Sequence, residues 1–524
     1  DNFNVLRTLA SNGFKKLNIP LDSAEFQVYK ERAKYELDVI KELEFIDYIL
    51  LVWFVIDYCH LNNIPLGLGR GSAAGSLILY LIGVTRIDPI KRGLFFERFI
   101  SKIRAKKKIV DGITYLDGSL MVDIDVDVCY YRRPQVLKFL EETFKGRTSK
   151  ISTFATLSSK LLIKECAKII AEIPESEANE IADMIPKIHG HVRDIENVYN
   201  GEMDSDGNEK LAPVASFVKW VDKHRDVYEV ALKLRDLNKN KGVHPSGVLL
   251  SFGPIEETCP LELSQEKGLV SSFDMEWVSL FSVKLDVLGL RGVSVVDDVC
   301  NMVGIKVEDI DVNDPIIYQN LYDLKAPHGI FQIEAETNFR VCQAVKPKTL
   351  DELSAILALA RPGALQFVDQ YANYTNSGTY APIHPFFEDI LKDTGGTVLY
   401  QEQLMKMAHK IGFTLDEAEV IRKVVGKKKV KEMAEWEEKI KQKIIENKLP
   451  KEVGDILWSV MDASKDYSFN RSHSIAYASL AAITVYLKFK HPKQFFLSLL
   501  KMAKHEPKPI QEIRKIKQEM TQHF

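Results

Sequence analysis

The sequence lacks the features that are typical of membrane proteins, of zinc-binding domains and of proteins stabilised by disulfide bonds. No apolar run reaches the roughly 20 residues that cross a bilayer, because the longest candidates, 45–59 and 76–84, are short or interrupted by charge. The six cysteines include no Cys-x-x-Cys pair, so they offer no zinc site and are typical of buried, reduced thiols. We therefore expect a cytoplasmic protein that makes no contact with membranes.

A large excess of charge of either sign is also missing. The net charge is −3 over 524 residues, so total charge neither favours nor excludes nucleic-acid binding, and only a local basic surface would support it. The composition, 46% hydrophobic and 27% charged, excludes a disordered or fibrous protein. The length predicts about two to four domains. The chain begins at Asp1 without an initiator Met or a signal peptide, so we expect a fragment or a trimmed product.

Hydrophobic periodicity predicts an α+β fold with helical insertions. A glycine-rich turn at 65–71 precedes a buried helix, for which Ser72 is the expected N-cap and Gly83 the expected stop. The predicted helical regions are 23–62, 72–83, 135–236 and the chain beyond 297, and the predicted strands are 119–128, 246–251 and 280–288.

Three acids alternate with apolar residues in the segment 121–128. Because a strand has period two, Asp123, Asp125 and Asp127 would line one face while positions 124, 126 and 128 are buried on the other. Adjacent carboxylates repel each other, and hard divalent cations with oxygen ligands relieve that repulsion. The pattern therefore indicates a metal site, and an exposed edge strand with a solvated acidic face is the alternative.

The glycine-rich turn has the composition of a phosphate-binding loop. It lacks the Gly-Lys-Ser/Thr ending of a Walker A loop. A tight turn that ends at a small N-cap residue nevertheless exposes backbone N–H groups, here of Gly71 and Ser72, which can hold phosphate. Arg70 would add a charge-assisted hydrogen bond. The alternative is a glycine turn that only lets a helix pack closely.

A second polar pair lies in the apolar segment 283–290. Lys284 and Asp286 alternate with apolar residues, so both side chains point to the same face of a strand. An intrastrand ion pair, with a net contribution of roughly 0–1 kcal/mol if exposed, is the alternative. With the phosphate loop and the first acidic segment, Asp286 indicates a nucleotidyl-transfer palm, because two metals about 3.5–4 Å apart need carboxylates from two strands.

The chain resembles the family C bacterial replicative DNA polymerases, the alpha subunits of DNA polymerase III. The resemblance covers nearly the whole chain and rests on eleven motifs in the family's order. They lie at 69–76, 94–99, 123–127, 153–156, 244–247, 284–290, 329–334, 361–363, 400–403, 422–429 and 470–473. The family's terminal regions are not matched, so we expect a truncated or a phage-encoded member.

The resemblance implies a role for each matching residue. Asp123, Asp125 and Asp286 correspond to the catalytic acids that hold two Mg²⁺ ions, whereas Asp127 is less certain because some family members carry Asn there. Lys284 and Arg98 would lie near the primer or DNA phosphates. The residues that would bind the nucleotide are Arg70, Gly71, Ser72, Arg133, Arg361, Arg422 and Lys423.

The resemblance also implies an architecture and an activity. We expect a nucleotidyltransferase-like mixed-sheet palm at 1–155 and 242–293, a helical thumb at 156–241 and mostly helical fingers at 294–524. The expected reaction is template-directed addition of dNTPs to a primer 3′-hydroxyl by a DNA-directed DNA polymerase. The expected partners are primer-template DNA and dNTPs for a monomeric core, with sliding-clamp and other replisome contacts made through regions absent here.

The sequence departs from the family in three places, and two other functions stay open. Val122 replaces a usual proline, Ala155 replaces a glycine, and a charged insertion occupies 101–120, where we expect a solvated hairpin loop. One alternative function is a template-independent nucleotidyltransferase with the same palm acids. The other is a degenerate polymerase kept as a DNA-binding scaffold.

Overall fold

The computed structural model describes residues 1–103, 107–111, 113–116, 122–188, 191–203, 209–264, 268–426, 430–464 and 467–524. The α-helices of these residues are α1 (Asn2–Phe14), α2 (Ala24–Glu42), α3 (Ile46–Leu61), α4 (Leu77–Leu81), α5 (Phe96–Phe99), α6 (Arg133–Thr143), α7 (Ser159–Ile170), α8 (Glu175–Asp183), α9 (Ile195–Asn200), α10 (Ala215–Lys223), α11 (Arg225–Leu234), α12 (Met275–Val278), α13 (Arg291–Val303), α14 (Pro315–Tyr322), α15 (Glu336–Val345), α16 (Leu350–Leu359), α17 (Val368–Ser377), α18 (Glu388–Leu391), α19 (Gln401–Ile411), α20 (Leu415–Gly426), α21 (Val430–Glu446), α22 (Lys451–Ser464), α23 (Arg471–Lys490), α24 (Pro492–Met502) and α25 (Pro509–His523).

The strands of the described residues form one six-stranded sheet and three two-stranded ones. They are β1 (Lys107–Val110), β2 (Ile113–Leu116), β3 (Val126–Cys129), β4 (Thr148–Thr156), β5 (Lys187–Ile188), β6 (His191–Val192), β7 (Glu202–Met203), β8 (Glu209–Leu211), β9 (Asn238–Leu250), β10 (Leu261–Ser264), β11 (Gly268–Asp274) and β12 (Val283–Leu290). The large sheet has the order β10-β11-β4-β9-β12-β3. It is mixed, since β12 runs parallel to β3 and antiparallel to β9. The α+β prediction is confirmed.

The chain divides into two compact units. Unit 1 comprises Asp1–Thr148, Ser246–Ile255 and Ser279–Phe524, and unit 2 comprises Ser149–Pro245 and Glu256–Val278. Unit 2 has its own hydrophobic core, formed by α7 to α11 around the fully buried Ile163, Phe217 and Val227. Every residue that the sequence assigns to the site belongs to unit 1.

The core of unit 1 beneath the site joins helices to the two parallel strands. Val128 of β3 and Val287 of β12 pack in one cluster with residues of α1, α3 and α4. Their register pairs Val287 with Val126 and Leu288 with Asp127. Branched aliphatic residues on both strands favour this buried parallel pair. This packing and register therefore fix the positions of β3 and β12 relative to each other.

Several sequence-predicted elements are confirmed. Ser23 is the N-cap of α2 and Asn62 the C-cap of α3, so the predicted helical region 23–62 has the observed limits. Strands lie where they are predicted near 246–251 and 280–288, and helices dominate beyond 297. In the described parts of the chain, no helix combines the length and hydrophobicity needed to cross a membrane.

Two predicted boundaries are wrong, and both concern the site. Residues 71–75 form a 3₁₀ turn instead of the start of an α-helix, and Ser76, not Ser72, caps α4 through a 3.2 Å hydrogen bond from the Leu79 N–H. The predicted strand 119–128 is replaced by β3, which begins only at Val126. Residues 122–125 have no regular structure, and 119–121 lie outside the described residues.

Two further regions differ from or extend the prediction. The helical region predicted at 135–236 is interrupted by the nine-residue strand β4, whose Thr- and Ile-containing sequence favours a strand. In the charged insertion 101–120, β1 and β2 pair as an antiparallel hairpin. Residues 104–106, 112 and 117–120 of the insertion, which include the basic residues Arg104 and Lys106, lie outside the described residues.

Candidate active site

Three carboxylates meet where the start of β3 lies beside the middle of the parallel strand β12. Asp123, Asp125 and Asp286 each offer an oxygen, and these oxygens all lie within 4.8 Å of one another. Asp125 immediately precedes Val126, the first residue of β3, and Asp286 immediately precedes Val287 of β12. Because Val126 pairs with Val287, the strand register brings the two acids side by side. The predicted grouping of these three acids is what the structure shows.

The electrostatics of this cluster would favour a bound cation. Burial, followed by the charge of Asp123, raises the pKa of Asp125 from 3.8 to about 7. The pKa of Asp123 is also raised, mainly by burial, although Lys284 opposes the shift. An all-oxygen donor set with a shared negative charge is what hard divalent cations such as Mg²⁺ prefer. The three residues therefore fit a divalent cation as ligands.

Asp286 is held by two neighbours in the sheet. The Ser246 hydroxyl donates a 2.9 Å hydrogen bond to Oδ1, and Lys284 Nζ lies 2.6 Å from Oδ2. Ser246 comes from β9, where Gly247 pairs with Asp286 in the antiparallel register. No role was predicted for Ser246, although it lies in the matched motif 244–247. The ion pair between Lys284 and Asp286 is present, and both side chains are largely buried.

Arg70 and Asp127 form a second layer beside the cluster. Arg70 Nε lies 3.2 Å from Asp125 Oδ2, and its Nη1 donates a 3.3 Å hydrogen bond to Asp127 Oδ1. The Tyr477 hydroxyl of α23 donates to Asp127 Oδ2 at 3.3 Å. Asp127 is buried and lies outside the group of three acids. It orients Arg70 instead of contributing to that group.

The glycine loop has a partner that the sequence did not indicate. Gly71 has a φ of +62°, in the left-handed region that glycine tolerates, and its N–H donates a 3.0 Å hydrogen bond to His473 Nδ1. Burial, with the nearby Arg70 and Arg361, lowers the pKa of His473 to about 4, so the ring is neutral and Nδ1 can accept. A phosphate on the Gly71 N–H would have to replace this imidazole.

Three of the predicted basic residues converge on a buried acid and not on the aspartates. Arg422 binds Glu419 through two hydrogen bonds of 2.8 and 2.9 Å, Lys423 Nζ lies 3.5 Å from it, and Arg98 Nη1 lies 3.8 Å from it. Arg98 Nε also donates to Gln401 Oε1 at 2.9 Å. We call Arg98, Glu419, Arg422 and Lys423 the Glu419 cluster. Its acid was missed because one Glu on a charged helix resembles a solvated residue.

The remaining predicted arginines lie in other surroundings. Arg133 Nε donates a 2.6 Å hydrogen bond to the Val287 carbonyl of β12, one residue beyond Asp286. The Arg361 guanidinium lies over the Phe469 ring, 4.7 Å from its centroid. Burial lowers the pKa of both arginines. Ser72 follows Gly71 in the 3₁₀ turn and is half-buried.

Family models match two consecutive parts of the chain. Residues 4–289 match the bacterial DNA polymerase III alpha NTPase domain, and residues 293–448 match the bacterial DNA polymerase III alpha subunit finger domain. The first match alone spans more than half of the sequence and includes all three clustered acids.

Curated relatives align with almost the whole chain. The DNA polymerase III subunit alpha of Aquifex aeolicus (strain VF5) is 32% identical over 537 residues, which cover 98% of this chain and 45% of the relative. That of Thermus aquaticus is 31% identical over 502 residues, 92% of this chain and 39% of the relative. That of Borreliella burgdorferi is 32% identical over 481 residues, with 90% and 40% covered. The chain thus spans less than half the length of these relatives, and by these matches it belongs to the family of bacterial DNA polymerase III alpha subunits.

Proposed function

We propose that this chain is the polymerising core of a DNA-directed DNA polymerase, which adds dNTPs to a primer 3′-hydroxyl under the direction of a template. The observation that carries the proposal is the group of three carboxylates, Asp123, Asp125 and Asp286, whose oxygens lie within 4.8 Å of one another beside the parallel strands β3 and β12. Membership of the alpha-subunit family supports the same activity. DNA replication is the process in which such an activity acts.

The three acids would hold two Mg²⁺ ions. When bound, such ions supply Lewis-acid activation of the primer hydroxyl and neutralise charge on the triphosphate. The oxygen donor set and the raised pKa of Asp125 support a cation here, because positive charge relieves the repulsion among the acids.

The chain's own residues would orient this site and bind the substrates. Ser246 and Lys284 fix the Asp286 carboxylate, and Lys284 adds positive charge on the side where the primer phosphate is expected. Arg70 keeps Asp125 in place and, as a residue of the glycine loop, would also contact a phosphate bound there. Template pairing would select the base, so contacts from the protein would be chiefly to phosphates and to duplex shape.

Basic residues farther along the chain would bind the nucleotide. Arg133, Arg361, Arg422 and Lys423 are candidates for the triphosphate, with Gly71 and Ser72, while Arg98 is a candidate for DNA phosphate. The Glu419 cluster supports this, because it brings three cationic side chains close together around one buried acid. An incoming triphosphate would bind to these cations.

We further propose a palm at 1–155 and 242–293, a thumb at 156–241 and fingers at 294–524, acting as a monomeric core on primer-template DNA with dNTPs. The match of 293–448 to a finger-domain model supports the last of these regions. All six cysteines are unpaired and buried, which supports a reducing, cytoplasmic location. Contacts with a sliding clamp or other replisome proteins are proposed for the longer protein.

The test is primer extension by variants that each remove one acid. Asp125→Ala and Asp286→Ala should each lower the extension rate by at least about 1000-fold, or roughly 4 kcal/mol of transition-state stabilisation, because each removes a metal ligand. Asp22→Ala, an exposed acid outside the site, is the matched control. Circular dichroism establishes that all variants fold alike. Near-normal extension by either site variant would contradict the assignment.

A single-nucleotide assay separates the proposal from its two alternatives. On a templated primer with one dNTP at a time, the polymerase should add only the complementary base. Addition of all four bases with equal efficiency would indicate a template-independent transferase. A folded wild-type chain with no Mg²⁺-dependent dNTP binding and no extension would indicate a degenerate scaffold.

A further inference from the structure

Unit 1 also contains a recess that is separate from the group of three acids. It has a volume of about 820 Å³ and lies among α1, α4, the segment 83–92, the segment 307–313 and α23. This volume is within the range of small-ligand sites. None of the three clustered acids lines it.

The charge that lines this recess is predominantly positive. Lys16, Lys91 and Arg92 line it, and no ion pair joins any of them to another described residue. A fourth cation, Arg86, is paired with Glu308 at 3.1 Å. Cations that lack acidic partners at the wall of a concave site attract anions.

Two acids line the recess, and both are already engaged, Glu308 by Arg86 and Asp88 by local donors. Asp88 accepts a 2.5 Å hydrogen bond from the Tyr29 hydroxyl and bonds of 3.0 and 3.2 Å from the Ile90 and Lys91 backbone N–H groups. Its charge is therefore dispersed over local donors and does not form a salt bridge with the lining lysines. Net positive potential remains in the recess.

The rest of the lining suits an aromatic base better than a bare anion. Leu68, Ile87, Ile310 and Ile483 form apolar wall, and the half-buried Tyr80 ring is a surface on which a base can stack. Flat apolar surface beside a cationic rim is the combination that binds nucleotides. An inorganic ion would leave the apolar wall unused.

The recess is separate from the catalytic acids but shares a wall with the glycine loop. The Arg86 N–H donates a 2.8 Å hydrogen bond to the Leu68 carbonyl, and Thr85 packs against Gly69, whose ideal Cβ would lie 3.3 Å from Thr85 Cγ2. The buried Thr85 hydroxyl has no hydrogen-bond partner within the described chain. A ligand in the recess would thus contact the far side of the segment that carries Arg70.

We propose that this recess is a second nucleotide-binding site, which takes a nucleoside polyphosphate with its phosphates on Lys16, Lys91 and Arg92 and its base on Tyr80 and the apolar wall. The site is distinct from the one that would bind the incoming dNTP. Its occupation does not require template, primer or the three acids.

The test is binding of ATP to the full chain by titration calorimetry, in EDTA and without DNA, so that the acid cluster holds no metal. Lys16→Glu and Lys91→Glu should each weaken ATP binding at least about ten-fold, because each places an acid beside the phosphates. Lys15→Glu is the matched control, since Lys15 is the exposed neighbour of Lys16 and does not line the recess. Asp125→Ala should bind ATP as the wild type does.

Four outcomes would overturn the proposal. The first is an absence of ATP binding by the wild-type chain, and the second is equal binding by the Lys16→Glu, Lys91→Glu and Lys15→Glu variants. The third is loss of binding in Asp125→Ala alone, which would place the ATP in the polymerase site. The fourth is tight binding of a different ligand. If inorganic triphosphate binds as tightly as ATP, the ligand is a polyphosphate. If a single-stranded oligonucleotide displaces ATP at lower concentration, the ligand is a nucleic-acid strand.

Discussion

At the scale of single residues, aspartates that look alike in the sequence have different surroundings. Asp123, Asp125 and Asp286 share a small volume, whereas Asp127 is bound by Arg70 and by the Tyr477 hydroxyl. Alternation in the sequence predicted that Asp125 and Asp127 share one face. It could not predict the partner of Asp127, because that tyrosine is 350 residues away.

The raised pKa of Asp125 predicts a pH dependence of stability in the metal-free protein. Its folded-state pKa of about 7 lies above the usual 3.8, so between about pH 4 and pH 7 the folded state binds the extra proton. The contribution of this group is present at low pH and is lost as pH rises, by at most about 1.4 kcal/mol per pH unit. Urea unfolding in EDTA over a pH series measures the slope.

Asp125→Asn identifies the source of that slope. The variant removes the titration but keeps the shape, so its free energy of unfolding should fall less steeply than that of the wild type between about pH 5 and pH 7. Asp22→Asn should keep the wild-type slope. Parallel curves for wild type and Asp125→Asn would show that the group is not shifted in this direction.

At the scale of secondary-structure elements, helix starts depend on acids from other elements. The buried Glu36 of α2 accepts hydrogen bonds of 2.9 Å from the Leu77 and Ile78 N–H groups and 2.8 Å from the Ser76 hydroxyl. This carboxylate satisfies the first N–H groups of α4, which is why the helix begins after Ser76 and not after Ser72. Sequence periodicity found the helix but not its start.

Replacing this cap should destabilise unit 1. In Glu36→Gln one acceptor oxygen becomes a donor, so bonds from the α4 N-terminus are lost inside the core, and we expect a loss of about 2–4 kcal/mol. Chemical denaturation measures it. Glu31→Gln, an exposed position on the same helix, should change stability by less than about 0.5 kcal/mol. Equal stability of the two variants would show that Glu36 is not the cap.

The Glu419 cluster is the basis of a second prediction at the scale of secondary-structure elements. Burial alone would raise the pKa of Glu419, but the hydrogen bonds and charge of Arg422, with Arg98 and Lys423, bring it below its usual value. Glu419→Gln removes the buried charge that these three cations share, so we expect a loss of about 3–5 kcal/mol in unfolding free energy and a changed KM for dNTP.

Two measurements separate the structural effect from the functional one. Urea unfolding reports the stability of Glu419→Gln, and steady-state primer extension at a temperature where the variant is folded reports its KM and kcat. Glu435→Gln, exposed on α21, is the control. An unchanged KM with lowered stability would restrict the cluster to a structural role.

At the scale of the whole molecule, total charge gives little information on DNA binding. The net charge is −3, yet cationic side chains are grouped locally, as in the Glu419 cluster. Binding of primer-template DNA should therefore depend on local phosphate contacts, which release counterions. Long-range attraction by the molecule as a whole should be weak.

This predicts a steep salt dependence despite the near-neutral charge. Between about 50 and 200 mM KCl, the affinity for primer-template DNA should fall at least about ten-fold, with a linear decrease of log K against log salt. Fluorescence anisotropy with a labelled duplex measures it. An affinity independent of salt would contradict phosphate-based binding.

The sequence alone determined the fold class, the helices and strands with strong periodicity, and the grouping of Asp123, Asp125 and Asp286 through an ordered series of motifs. Those features depend on residues that are close together in the sequence, or on short sequence motifs. Tertiary structure alone decided the start of α4, the roles of Glu36 and Glu419 as acceptors, and the partners of Asp127 and Gly71. Each of these depends on a contact between residues distant in sequence, for which periodicity carries no signal.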